Sequence, residues 1–314
     1  MTYTVEHTAH RAAPDLDETP FEVWMHDAVG RTERALAAGL PPTATVPSRL
    51  HEALRYAALG GGKRIRPLLC QAAGALAQAS PGALDATGAA LEMVHVYSLV
   101  HDDLPAMDDD DLRRGKPTVH VAYDEATAIL VGDALQAQAF FTLSELPLPA
   151  ERRIALVREL SEAAGSRQLV GGQAIDLQSA GRSLSQPALE QMHRMKTGAL
   201  IRAAVRMGAL CGLADTPANA ALYRALDDYS SAIGLAFQVV DDILDATADT
   251  ATLGKTAGKD AYDDKPTCVS MLGLDASRAL ARTLNARAHA ALAPCGVRAE
   301  RLGQLADLVV HRVN

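Results

Sequence analysis

Aromatic residues are scarce in this 314-residue chain, at 4% with a single tryptophan, whereas alanine, leucine and arginine abound. Strands favour β-branched and aromatic side chains, so the scarcity argues against a sheet-built core and for an all-α chain. Cysteines are few as well. Cys70, Cys211, Cys268 and Cys295 form neither a CxxC pair nor a zinc spacing, which fits a reducing cytoplasm. Long apolar runs are missing: the stretch from Tyr229 to Val240 stops at twelve residues before it meets aspartates, short of the eighteen or so that span a bilayer. An excess of basic charge is missing too. The formal charge is -8 and the pI near 5.7, so no general basic field invites nucleic acid, although single phosphates could be held locally. The amino terminus, MTYTVEHTAHRAAPDLDETP, has no apolar centre and carries acids throughout; it does not look like a signal peptide and reads as a loose arm over 1–20.

What is present is 48% hydrophobic residues, ample for a buried core. From Phe21 onward, apolar-periodic segments of helical length alternate with Pro and Gly punctuation too short to be a linker. One all-α domain over 21–314 is expected. Within it a single pattern occurs twice: an apolar helix runs into paired aspartates, at Asp102-Asp103 and again at Asp241-Asp242.

In the second copy, FQVVDDILD, residues Gln238, Asp241, Asp242 and Asp245 fall within an arc of roughly 100° on a helix otherwise covered by apolar side chains. A polar stripe on so apolar a helix predicts a cavity rather than a solvated face. In the first copy Glu92, His95, Asp102 and Asp103 share one arc in the same way. Past Asp103 the helix must fail at Pro105. Asp108, six residues beyond Asp102, would point about 240° away unless the chain bulges outward and returns it to Asp102's side. Carboxylates facing one another across a cavity repel unless hard cations lie between them, and an oxygen-only set points to Mg²⁺ with substrate phosphate oxygens.

Basic residues supply the complement. LGGGKRIRP sets Lys63, Arg64 and Arg66 beside three glycines, where backbone can approach an anion and arginine can grip phosphate with its fork. Arg113 and Arg114 follow directly on the acid cluster; Lys196-Thr197-Gly198 forms a third group, and Lys255, Lys259 and Lys265 a fourth. Together with two acidic faces they suggest one diphosphate held through Mg²⁺ and another held directly by lysine and arginine.

In order along the chain, GGKRIRP, HDDLPAMDDDDLRRGKPTVH, GGQAIDL, KTGALIRAAVRMGAL, IGLAFQVVDDILD and TLGK closely resemble the motifs of the trans-prenyl diphosphate synthases, and among them the bacterial farnesyl diphosphate synthases. The resemblance implies an isoprenoid synthase fold, a helical bundle around a deep central cavity. It also implies a homodimer, three Mg²⁺ ions per site with substrate bound, and condensation of isopentenyl diphosphate with an allylic diphosphate. By resemblance Asp102, Asp103 and Asp108 are metal ligands at the first motif, and Asp241, Asp242 and Asp245 at the second. Lys63, Arg66, His95 and Arg114 match the residues around isopentenyl diphosphate; Arg113, Lys196, Thr197, Gln238, Lys255 and Lys265 match those around the allylic diphosphate and the closing loop. Gln173 and Asp176 match supports of the same pocket. An aromatic five residues before the first motif implies a fifteen-carbon product limited by Tyr97, although on an ideal helix Ser98 lies more nearly under Asp102. A geranylgeranyl synthase is the near alternative and a non-catalytic partner subunit the remoter one. The turn Asp264-Lys265-Pro266-Thr267-Cys268 departs from the family's GKxTY-like pattern.

Overall fold

The computed structural model describes residues 19–179, 184–247 and 266–311. Helices α1 (Phe21–Gly39), α2 (Ser48–Ala58), α3 (Ile65–Leu76) and α4 (Pro81–Asp102) are followed by a ribbon of β1 (Leu112–Arg113) and β2 (Lys116–Pro117). Then come α5 (Val119–Ala122), α6 (Glu125–Ser144), α7 (Ala150–Ala164), α8 (Leu169–Ser179) and α9 (Gln186–His193). A π-helical turn (Arg194–Gly198) leads into α10 (Ala199–Gly212), and a 3₁₀ turn (Pro217–Asn219) into the long α11 (Ala220–Thr247). Helices α12 (Cys268–Leu272), α13 (Leu274–Leu292) and α14 (Glu300–His311) complete the described chain.

The all-α class expected from composition holds, with the ribbon as a small addition. Its strands pair Leu112 with Pro117 and Arg113 with Lys116. Arg114 and Gly115 between them have φ of 54° and 74°, the positive values that a two-residue hairpin turn needs to match strand twist.

Helices α3, α4 and α10 are apolar on nearly every side, and their residues are accordingly buried almost all round. Helix α3 lies against α4 and α10, α4 against α1 and α6, and α10 against α7 and α11; α13 and α14 close the far side of α11. The α3–α10 crossing is tight because Gly208 has no side chain: a Cβ there would lie 2.1 Å from the Cys70 carbonyl oxygen. Local signals fix the helix starts. Pro81 occupies the first turn of α4, and the Asp124 carboxylate accepts from Thr127 N at 2.7 Å to cap α6. Across the core, the buried Tyr229 hydroxyl donates to the Leu302 carbonyl at 2.7 Å and ties α11 to α14.

Among the described residues α6 alone is long and apolar enough, by length and composition, to cross a membrane. It packs on α4 and α2 as a member of the bundle. Its outer face leaves Ile129, Leu130 and Phe141 about half exposed.

Candidate active site

The first acidic wall is made where α4 stops. Asp103 N still donates to Leu99 O at 2.9 Å, but beyond Pro105 the chain folds back: Asp108 N donates to Asp102 O at 2.8 Å and Asp110 N to Asp103 O at 3.1 Å. Asp109, with φ of 52°, makes the reversal. Pro105 and Ala106 lie exposed at the tip of this bulge. The carboxylates of Asp102 and Asp108 thereby come to one place, 3.8 and 4.0 Å from the Lys196 ammonium.

The second wall is α11. Gln238, Asp241 and Asp242 line the same cavity, of about 210 Å³, as Asp102, Asp108 and Lys196. The Thr197 hydroxyl donates to Gln238 Oε1 at 3.0 Å, and Gln238 Nε2 donates to Asp242 Oδ1, also at 3.0 Å. Thr197, Gln238 and Asp242 are thus one hydrogen-bonded relay. Asp245, one turn further on, is buried but does not line the cavity.

Lys196 stands between the walls. Its ammonium donates to Asp176 Oδ2 at 2.5 Å, and Asp176 comes from α8 with Gln173, whose Nε2 donates to Asp102 Oδ1 at 2.9 Å. Helix α8 can approach the π turn because Gly172 carries no side chain; a Cβ there would lie 2.3 Å from Lys196 N. The three surrounding carboxylates raise the Lys196 pKa despite its burial, so the side chain is a fixed positive charge. Burial raises Asp102 against the pull of Lys196, with Asp108 pushing the same way. Burial likewise pushes Asp103 up to about 6, against the opposing pull of Arg113. Carboxylates crowded in this way favour a bound cation, and the lining of both walls offers oxygen donors suited to a hard ion such as Mg²⁺.

Arg113 borders the cavity, donating through Nε and Nη2 to Asp103 Oδ1 at 3.0 and 2.5 Å and through Nη2 to Asp110 Oδ2 at 3.1 Å. Asp110, from the same acidic run, therefore anchors an arginine. Its backbone carbonyl is also held by His120 at 3.0 Å. Arg113 and Arg114 both line a second, smaller cavity of about 50 Å³ on the far side of Asp103, bordered by Gly60 and Lys116. There Arg114 donates to the Gly61 carbonyl, which joins the ribbon to the glycine-rich turn.

The cations of that turn divide. Lys63 is exposed and Arg66 half-buried. Arg64, grouped with them as a phosphate grip by the sequence, is corrected by the structure. It is 2% exposed, donating to Glu92 Oε1 at 2.6 Å, Glu33 Oε1 at 2.7 Å and Ala58 O at 2.8 Å. A guanidinium so enclosed is a structural ion pair, and Glu92 leaves the polar arc for the same reason. His95 lines neither cavity. Burial lowers its pKa well below the ordinary value and the guanidiniums of Arg66, Arg114 and Arg113 lower it further, so it is neutral.

Tyr97 and Ser98 are both buried in α4. The Tyr97 ring packs edge-on against His101 with centroids 5.9 Å apart, and the Ser98 hydroxyl donates to His95 O at 2.8 Å. Neither lines the carboxylate cavity; Leu99 does. Lys255, Lys259 and Lys265 lie outside the described residues. His193, Met192 and Thr267 line the cavity without having been singled out by the sequence.

The family model for polyprenyl synthetase matches residues 47–292. A probable farnesyl diphosphate synthase of Sinorhizobium fredii is 59% identical over 284 residues, covering 90% of this chain and 86% of that one. The farnesyl diphosphate synthase of Escherichia coli is 47% identical over 298 residues, covering 93% and 99%. A geranyltransferase of Helicobacter pylori, solved in complex with magnesium and isoprenyl diphosphate, superposes with a TM-score of 0.82 at 32% identity over 92% of this chain and 97% of that one. With its two aspartate walls facing one cavity and its likeness running over nearly the whole length, the chain belongs to the polyprenyl synthetase family.

Proposed function

We propose that the protein is a farnesyl diphosphate synthase, condensing isopentenyl diphosphate with dimethylallyl or geranyl diphosphate in a head-to-tail prenyl transfer. The observation that carries this reading is the pair of carboxylate walls facing one cavity, with a fixed lysine charge between them and a second arginine-lined cavity beside it. One cavity suits a diphosphate held through metal, the other a diphosphate held by side chains alone.

Asp102, Asp103 and Asp108 on one wall and Asp241, Asp242 and Asp245 on the other are assigned to Mg²⁺, three ions per site. When bound, the metal supplies Lewis-acid neutralisation of charge gathering on the departing diphosphate. The chain's own residues do the rest. Lys196 and Arg113, with Thr197, Gln238, Lys255 and Lys265, orient the allylic diphosphate so that its C–O bond ionises toward fixed positive charge. Lys63, Arg66, Arg114 and the neutral His95 hold isopentenyl diphosphate so that its double bond attacks the allylic cation. His95 offers a hydrogen bond there without adding charge. Leu99 and Met192 add apolar surface to this otherwise polar lining, where water would quench the cation. No side chain is assigned as general base; the departing diphosphate takes the proton. Removal of divalent ions by a chelator should abolish product formation, and Mg²⁺ should restore it. Product formed equally well in excess chelator would sink the assignment of the two walls.

The working unit we propose is a single domain over 21–314, paired as a homodimer in the cytoplasm. The apolar residues half exposed on α6 are the surface a second copy would cover. Sedimentation at the mass of two chains is expected, and a single-chain mass would contradict it. Four free thiols suit a reducing compartment.

A further inference from the structure

At the edge of the carboxylate cavity, which His193 and Asp242 line, three side chains of different chemistry converge from three elements: His193 at the end of α9, Asp242 on α11 and Cys268 at the start of α12. Their ligand atoms, a ring nitrogen, a carboxylate oxygen and the thiol sulfur, lie within 4.8 Å of one another. All three residues are buried, at 4, 3 and 4% exposure. His193 Nδ1 is buried with no hydrogen-bond partner among the described residues, a costly arrangement for an imidazole unless something is to be bound. Asp242 is held in position: Oδ1 accepts from Gln238 Nε2 at 3.0 Å and Oδ2 from the Cys268 backbone N–H at 2.7 Å. These bonds orient the carboxylate, as outer hydrogen bonds do for metal ligands. Cys268 is fixed in turn by a capping box between Thr267 and Ser270.

The chemistry separates this cluster from the hard-ion site. Imidazole nitrogen, carboxylate oxygen and thiolate sulfur together select a borderline ion of the zinc class over Mg²⁺. Bonds of about 2.0–2.3 Å place tetrahedral ligands roughly 3.5 Å apart, so side-chain shifts of about an ångström close the set. No local cysteine spacing announces such a site, because its members lie 49 and 26 residues apart in the chain. Binding would release the thiol proton to solvent as the sulfur becomes a thiolate.

We propose that His193, Asp242 and Cys268 form a binding site for a zinc-class cation. Occupancy draws Asp242 away from the hard-ion wall, ties α12 to α11 and α9, and inhibits the enzyme. The inhibitory part rests on the synthase function; the binding part does not.

Titration of the full chain with Co²⁺, without Mg²⁺ or diphosphate, tests binding. The expected result is a near-ultraviolet thiolate-to-cobalt charge-transfer band saturating at one ion per chain. The band should vanish in Cys268→Ser, persist in Cys295→Ser, and require at least about tenfold more Co²⁺ in His193→Gln, the smallest loss usual when a metal's surroundings are altered. No band in the parent protein, or a band that survives Cys268→Ser, overturns the site. Thermal unfolding of each variant separates loss of a ligand from loss of the fold. For inhibition, Zn²⁺ is added to product-forming assays at saturating Mg²⁺, and Cys268→Ser should need at least about tenfold more for the same effect. Equal sensitivity of parent and variant overturns the inhibitory role. A protein that shows the band but makes no product leaves the site standing and removes the synthase function instead.

Discussion

Asp102→Asn is expected to lower kcat about 10³-fold, or roughly 4 kcal/mol in the barrier, with a much smaller change in KM for isopentenyl diphosphate. The change is nearly isosteric, and the new side-chain oxygen can still accept from Gln173, whose amide donates to Asp102 at 2.9 Å. What is lost is charge. Asp102 and Asp108 sit 3.8 and 4.0 Å from Lys196, and the field of this wall depends on carboxylates packed more closely than they would choose. Removing one weakens the hold on the metal that neutralises the departing diphosphate, an interaction stronger in the transition state than in the ground state. Steady-state kinetics over a range of Mg²⁺ concentrations checks this. A loss under tenfold at saturating Mg²⁺ would take Asp102 out of the ionisation machinery.

The second large effect concerns what the enzyme makes. Tyr97→Ala is expected to shift the product from fifteen carbons to twenty or more, because it removes a buried ring from the helix that ends at the first acidic wall. The ring stands edge-on to His101 rather than in the carboxylate cavity, so its proposed effect is through the apolar packing of α4 and not on the diphosphate. Truncating a buried aromatic also costs about 3–5 kcal/mol of stability, so the assay belongs well below the unfolding temperature. Ser98→Phe supplies the opposite change: Ser98, one turn before Asp102 and buried, should accumulate ten-carbon product when enlarged. Chromatography of the dephosphorylated products reads both. Unchanged lengths in both variants would remove this part of α4 from length control.

Much of the helical pattern was legible because it depends on near neighbours. Apolar periodicity marks α4 and α11, and Pro105 requires the break after Asp103. The return of Asp108 follows from needing two carboxylates on one side, and the backbone supplies it with a hydrogen bond from Asp108 N to Asp102 O. What periodicity could not give are pairings set by packing between distant elements. Arg64 looks like one more phosphate-binding cation beside Lys63 and Arg66; only the fold brings Glu92, 28 residues on, against it. Gln173 reaches Asp102 across 71 residues through the close approach of α8 to the π turn. Asp110 was indistinguishable from its acidic neighbours until the turn placed it 3.1 Å from Arg113. His193 gave no sequence signal, because a lone histidine at a helix end has many uses and its partners come from two other helices.

The most direct test is to incubate the purified protein with isopentenyl diphosphate, geranyl diphosphate and Mg²⁺ and identify the product. A single fifteen-carbon farnesyl diphosphate, absent when either substrate is omitted, is the predicted result. No condensation product, or a twenty-carbon chain as the main one, would contradict it.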